Sequence, residues 1–167
     1  MTENCNVEHY ENICSGQQTI ESRFHENLIE HLNSEIVLGT ISTWESALNW
    51  IRSTFLYVRL PKNPDHYGVE KGRRPNEFIQ ALLNDCLKTL SFHKLILHEN
   101  ELITPLESGK SMAKYYIKCE TMITISKLQR TPSTEQIVEF LNLLVNRTLS
   151  SSRVFRSSIS TRRKRLP

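Results

Sequence analysis

The stretch from Asn33 to Gly68, NSEIVLGTISTWESALNWIRSTFLYVRLPKNPDHYG, decides how the rest of the chain is read. Ser42 and Glu45 fit an S-x-x-E capping box, in which the hydroxyl and the carboxylate each satisfy an orphan backbone N–H at a helix start. From there Trp44, Ala47, Leu48, Ile51, Phe55 and Val58 recur at helical spacing on one face. Trp50 and Tyr57 stand seven apart, on a neighbouring apolar stripe. Pro61 stops the helix, because it lacks an N–H and clashes with the preceding turn. A helix with two apolar faces belongs between partners on both sides. Trp44, Trp50, Phe55 and Tyr57 are therefore expected in the core. Nothing in this stretch names a chemistry.

Upstream, Ser22 can cap a helix running to about Val37, with Phe24, Leu28, Ile29, Leu32 and Ile36 on its apolar side. Gly39 supplies its C-terminal stop. Met1 to Ile20 shows no helical period and is expected to be loosely held. Downstream, LPKNPDHYGVEKGRRP (60–75) has three prolines and two glycines in sixteen residues, which break any period. Pro75 opens a third helix, whose broad apolar face is Phe78, Ile79, Leu82, Leu83, Cys86, Leu87 and Leu90. The period then shortens. LILHENELITPL (95–106) reads as two short strands around a turn at His98–Asn100.

Helix–helix–helix–hairpin is the order of a winged helix. The fold class is thus mainly α, a three-helix core plus a small β-hairpin wing, with an extra C-terminal helical segment. Ser108 can cap that segment's first helix, GKSMAKYYIKCETMITISKL, carrying Met112, Ala113, Tyr116, Cys119 and Ile123. A capping box from Ser133 to Gln136 begins a last helix through about Val145. From Ser150 the chain is rich in Ser and Arg with little apolar content, and reads as disordered. The expected partition is 1–20, a loosely ordered remnant; 21–107, the winged helix; 108–147, flanking helices; and 148–167, a basic tail.

At 167 residues the chain can bury a core without disulfides. Its four cysteines (Cys5, Cys14, Cys86, Cys119) form no C-x-x-C pair, which favours a reducing compartment. The N-terminus is polar and acidic, unlike a signal peptide, and no run approaches the ~20 apolar residues of a membrane span, so no membrane partner is expected. The net charge of +3 conceals an asymmetry. Residues 150–167 hold six basic side chains and no acid, leaving 15 basic against 18 acidic elsewhere. Phosphate affinity would have to come from the tail or a local patch.

Catalytic and metal motifs are missing. There is no G-x-x-x-x-G-K-[ST] loop; Gly109–Lys110–Ser111 gives only its last three letters. No H-E-x-x-H pair, no G-x-S-x-G elbow and no activated cysteine is present, and His25, His31, His66, His93 and His98 read as isolated, solvated or locally bonded histidines. No catalytic residue, metal ligand or cofactor is assigned, and ATP turnover by the chain alone is not expected.

Three separated blocks, HENLIEHLNSEIVLGTI, WIRSTFLYVR and KNPDHYG, resemble the winged-helix domain of large superfamily-2 helicases. The wording is most similar to the meiotic helicases that promote crossovers; spliceosomal and activating-signal-cointegrator relatives share it more loosely. The resemblance runs from about Val7 to Leu141. It implies an accessory module that joins RecA-like motor lobes to a DNA-gripping ratchet domain in a nuclear enzyme that uses ATP and magnesium. It further implies that residues 1–20 correspond to the end of the second motor lobe and 108 onward to the start of the ratchet, so that the chain looks like a piece of a larger machine. The implied partners are the motor lobe, the ratchet and, weakly, DNA. A free-standing winged-helix DNA-binding regulator is the alternative.

For either, the nucleic-acid contacts to consider are Lys71, Arg73 and Arg74 before the third helix, the element that enters the major groove in DNA-reading winged helices. Its exposed face offers Asn76, Gln80, Asn84 and Lys88, but also Glu77 and Asp85, which repel phosphate. That face reads first as a solvated polar surface. The tail cluster Arg162, Arg163, Lys164 and Arg165 reads as a nuclear-import signal, a non-specific phosphate contact or a solvated tail.

Overall fold

Three helices packed on one apolar core, closed by a two-stranded wing, make up the centre of the computed structural model, which describes residues 6–17, 19–69, 72, 74–128 and 133–142. The helices are α1 (Val7–Cys14), α2 (Leu28–Leu38), α3 (Trp44–Arg52), α4 (Phe55–Arg59), α5 (Pro75–Phe92), α6 (Glu107–Lys114) and α7 (Cys119–Ser126). The wing is β1 (Ile96–Glu99) and β2 (Leu102–Pro105), and short 3-10 turns cover Phe24–Asn27 and Pro64–Tyr67. The fold is a winged helix. The chain divides into two compact units, Met1–Tyr115 and Tyr116–Pro167.

In the first unit α2 packs against α5, α6 and β2, and α5 packs against α3 and β1. Apolar spacing explains the arrangement: Leu28, Leu32 and Ile36 of α2, Ala47 and Ile51 of α3, and Ile79, Leu83, Leu87 and Leu90 of α5 are all fully buried. Each such Leu or Ile contributes roughly 2 kcal/mol by leaving water. Gly39 ends α2 with φ +80°, and the Thr40 N–H reaches back to the Glu35 carbonyl, a left-handed stop that favours glycine. Pro75 sits in the first turn of α5, where its missing N–H costs nothing.

The strands pair antiparallel in the register Ile96 to Pro105 through Glu99 to Leu102. Ile96 and Ile103 face the core, while Leu97, Glu99, Leu102 and Thr104 lie on the exposed side. The segment before α3 adds one more rung, with Thr43 bridging Leu102 and the Ile103 N–H bonded to the Ser42 carbonyl at 2.8 Å.

Several expectations are corrected. Residues 7–14, read as aperiodic, form helix α1. The expected single helix up to Pro61 breaks at Ser53–Thr54, where the Ser53 hydroxyl donates to the Trp50 carbonyl at 2.7 Å and the Thr54 hydroxyl to that of Ile51 at 2.6 Å. These bonds use carbonyls that would otherwise continue the ladder. The break rotates α4, so Leu56 and Leu60 are buried while Val58 is 51% and Phe55 52% exposed. Phe55 is therefore not a core residue. Trp44 is half-buried, and Trp50 and Tyr57 are half-buried against the cluster around Leu28, Ile51 and Ile79.

The cap of α3 is Thr43 with Ser46, not Ser42 with Glu45: the Ser46 N–H donates to Thr43 Oγ1, and the Thr43 N–H to Ser46 Oγ. Ser22 opens the 3-10 turn before α2 rather than the helix itself, its Oγ accepting from the Phe24 N–H at 3.3 Å. The wing turns at Asn100–Glu101, leaving His98 inside β1. The helix expected over 109–128 is two, because α6 stops at Lys114 and Tyr116 takes φ +52°. α6 starts after Leu106 and belongs to the first unit. In the second unit, α7 is followed by a helix over 134–142, whose start has the expected Ser133–Gln136 box. The end of that helix near Val145 and the whole of 148–167 lie outside the described residues.

Candidate nucleic-acid interface

The polar face of α5 is exposed as its sequence requires. Asn76, Glu77, Gln80, Asn84, Asp85 and Lys88 all face solvent, and Arg74 is an exposed N-cap residue. Asn76 accepts a hydrogen bond from the Tyr57 hydroxyl at 3.0 Å, which ties the start of α5 to α4. Between α3 and α5 a shallow hollow of about 420 Å³ is lined by Trp44, Glu77, Gln80, Ala81 and Asn84. With a carboxylate in it, this surface is poorly matched to phosphate. Of the basic residues considered from sequence, only Arg74 is described; Lys71, Arg73, Arg162, Arg163, Lys164 and Arg165 lie outside the described residues.

A second, larger hollow of about 590 Å³ opens at the C-terminal end of α5, lined by Lys88, Thr89, Ser91, Phe92, His93 and His98. It gathers two of the histidines that sequence left isolated, together with Phe92, which is 81% exposed.

A third cluster was invisible from sequence because its members are far apart in the chain. Glu21 receives Arg59 through two bonds, 2.7 Å from Nη2 and 3.2 Å from Nε, plus Asn63 at 3.0 Å and the Tyr67 hydroxyl at 2.8 Å. The Tyr67 oxygen in turn accepts from the Ser22 N–H at 2.9 Å. The Arg59 bond, then that of Asn63, holds the Glu21 carboxyl down at about 2 against an ordinary 4.5. Burial raises the Tyr67 phenol, and Glu21 adds to that. This is a structural clasp that fixes the segment leading into α2.

The family model for the winged helix-turn-helix domain matches residues 21–99, from this clasp to the end of β1. The match covers 79 of the chain's 167 residues. The chain is also 40% identical to a probable ATP-dependent DNA helicase HFM1 of Xenopus tropicalis over 85% of its own length and 11% of that protein's. It is 35% identical to an ATP-dependent DNA helicase MER3 homolog of Oryza sativa subsp. japonica, over 84% of the chain and 12% of the relative. Activating signal cointegrator 1 complex subunit 3 of Dictyostelium discoideum is 31% identical over 96% of the chain and 8% of the relative. The chain thus spans about a tenth of the length of the curated relatives it matches.

The helicase relatives are named as ATP-dependent, and the stretch of this chain that echoes a phosphate loop is Gly109–Lys110–Ser111. Gly109–Lys110–Ser111 is the middle of α6, not a loop before a helix. Its Lys110 ammonium pairs with Glu107 at 2.7 Å, and Gly109 is pressed against the Leu95 carbonyl. This tripeptide fits a helix crossing and does not fit a phosphate.

Proposed function

We propose that this chain acts as an accessory winged-helix module of an ATP-dependent DNA helicase of the meiotic crossover type, working in the nucleus. In that role it couples motor lobes to a DNA-gripping ratchet domain and does not turn over ATP itself. The observation that carries this reading is the chemistry of α5: Glu77 and Asp85 stand exposed on the helix that would lie in the major groove, against phosphate, in a DNA-reading winged helix. A face of that kind suits a brace better than a sequence reader. Phe55 and Val58 on α4, and Leu97 and Leu102 on the outer side of the wing, offer exposed apolar contact for neighbouring domains.

The test is a titration of labelled duplex DNA with the full chain and its Arg74→Ala variant at low and moderate salt, alongside capture of recombinant motor lobes of an HFM1-type helicase. The module reading expects weak duplex binding, little affected by Arg74→Ala, retention of the motor lobes and no ATP hydrolysis above background. Tight binding with a steep salt dependence, abolished by Arg74→Ala and without motor-lobe capture, would establish the free-standing regulator instead.

A further inference from the structure

The hollow at the root of the wing differs from the one over α3 in the groups that line it. Phe92 is the last residue of α5, and its ring stands 81% exposed at the rim. The His93 imidazole meets it edge-on, with ring centroids 5.0 Å apart. Lys88 lies one helical turn back, and Lys94 follows in the turn, exposed, with φ +55°. Ser91, Thr89 and His98 supply hydroxyl and imidazole edges; the Thr89 hydroxyl is already donated to the Asp85 carbonyl at 2.8 Å. Among the described residues no carboxylate lines the hollow. Asp85 sits a turn beyond Lys88, and Glu99 is on the outer face of the wing beside Leu102.

We propose that this hollow binds an unpaired nucleotide of a single-stranded nucleic acid, with Phe92 as the stacking platform and Lys88 and Lys94 holding the flanking phosphates. An exposed aromatic face combined with ammonium groups is the pairing of features that takes unpaired bases without regard to sequence. The hollow is open to solvent along most of its extent, which suits a strand that passes over it and not an enclosed small molecule. A duplex is excluded because its bases already spend both faces on one another. The proposal does not depend on the helicase reading, since it rests only on residues 88 to 98.

The test uses the full chain in fluorescence anisotropy with a labelled oligothymidylate and a labelled hairpin duplex, closed by a linker without bases, of equal phosphate number, at ~0.15 M salt to screen the tail. The tail meets both probes and favours the denser charge of the duplex, so tighter binding of the strand is read against that bias. The strand is expected to bind more tightly than the hairpin. Phe92→Ala and Phe92→Leu should each weaken strand binding by about 5- to 30-fold, with hairpin binding unchanged, while Phe92→Trp retains it. An unchanged melting temperature checks that the variants fold. In parallel, photocrosslinking of an iodouracil-substituted strand should label the peptide that contains Phe92. Equal affinity of wild type and Phe92→Ala for the strand, or of strand and hairpin for the wild type, overturns the proposal. So does full binding by Phe92→Leu, which would mark the ring as an apolar docking knob, or a crosslink confined to other peptides.

Discussion

Replacing Gly109 by Ala should destabilise the first unit although Gly→Ala normally favours a helix. Gly109 lies in α6 where it crosses α2, and its carbonyl accepts from Asn33 Nδ2 at 2.9 Å. An added Cβ would collide with the Leu95 carbonyl oxygen, lie 3.1 Å from the Leu95 carbonyl carbon and reach Asn33 Oδ1 at 2.9 Å. The Leu95 oxygen cannot swing aside, because it already accepts from the Leu106 N–H at 3.0 Å and Leu95 itself is 1% exposed. α6 must move away from the Leu95 backbone and from Asn33. Overpacking of this kind costs about 1–3 kcal/mol. If the Asn33 bond is lost, its buried amide adds roughly 1–3 kcal/mol. The helix preference of Ala returns only about 1 kcal/mol.

The net loss is about 3 kcal/mol, a fall of some 10–20 °C in Tm for a domain of this size. Circular dichroism at 222 nm during heating, with urea titration for the free energy, measures it. The double variant with Asn33→Ala should lose clearly less than the sum of the two single losses, because both changes disturb one contact. A Gly109→Ala protein that melts at or above the wild-type temperature would refute the close-crossing account.

Three other outcomes follow from the same structure. The folded-state pKa of Glu21 is depressed to about 2, so its contribution to stability is complete above the ordinary value of 4.5 and is lost as pH falls between the two. Urea midpoints measured across that window should decline with a slope that Glu21→Gln flattens; an unaltered slope would count against the clasp. Thr43→Ala should cost about 0.5–2 kcal/mol by removing the cap of α3, whereas Ser42→Ala should be close to neutral; the reverse order of melting temperatures would restore the cap read from sequence. Asn100 and Glu101 at the wing tip have φ +46° and +71°, the two-residue turn that favours Asn-Gly. Glu101→Gly should therefore raise stability by about 0.5–1 kcal/mol, and a lowered urea midpoint would contradict it.

The third helix and the wing were legible because their signals are local. Pro75 marks the start of α5, its apolar face repeats for four turns, and the change of period after Phe92 announces the strands. The break at Ser53–Thr54 is also local, yet the apolar repeat runs straight through it; two adjacent hydroxyl residues between apolar runs were the only warning. At Tyr115–Tyr116 there was none, since neither glycine nor proline marks the residue that turns left-handed. For α1, Val7, Tyr10 and Ile13 do recur at three-residue spacing, too short a run to stand out. Contacts between distant residues were hidden altogether. Glu21 meets partners 38 to 46 residues away, and the hollow beside Phe92 forms only when the strand after α5 folds back alongside it.

The clasp at Glu21 also fixes where a mechanical load would enter the domain. Tension applied upstream of residue 21 is taken up by Arg59, Asn63 and Tyr67, on the far side of α3 in sequence, before it can peel the first turn of α2. Bonds arranged in this way share the strain and fail together, so the joint should stay stiff to a threshold and then yield abruptly.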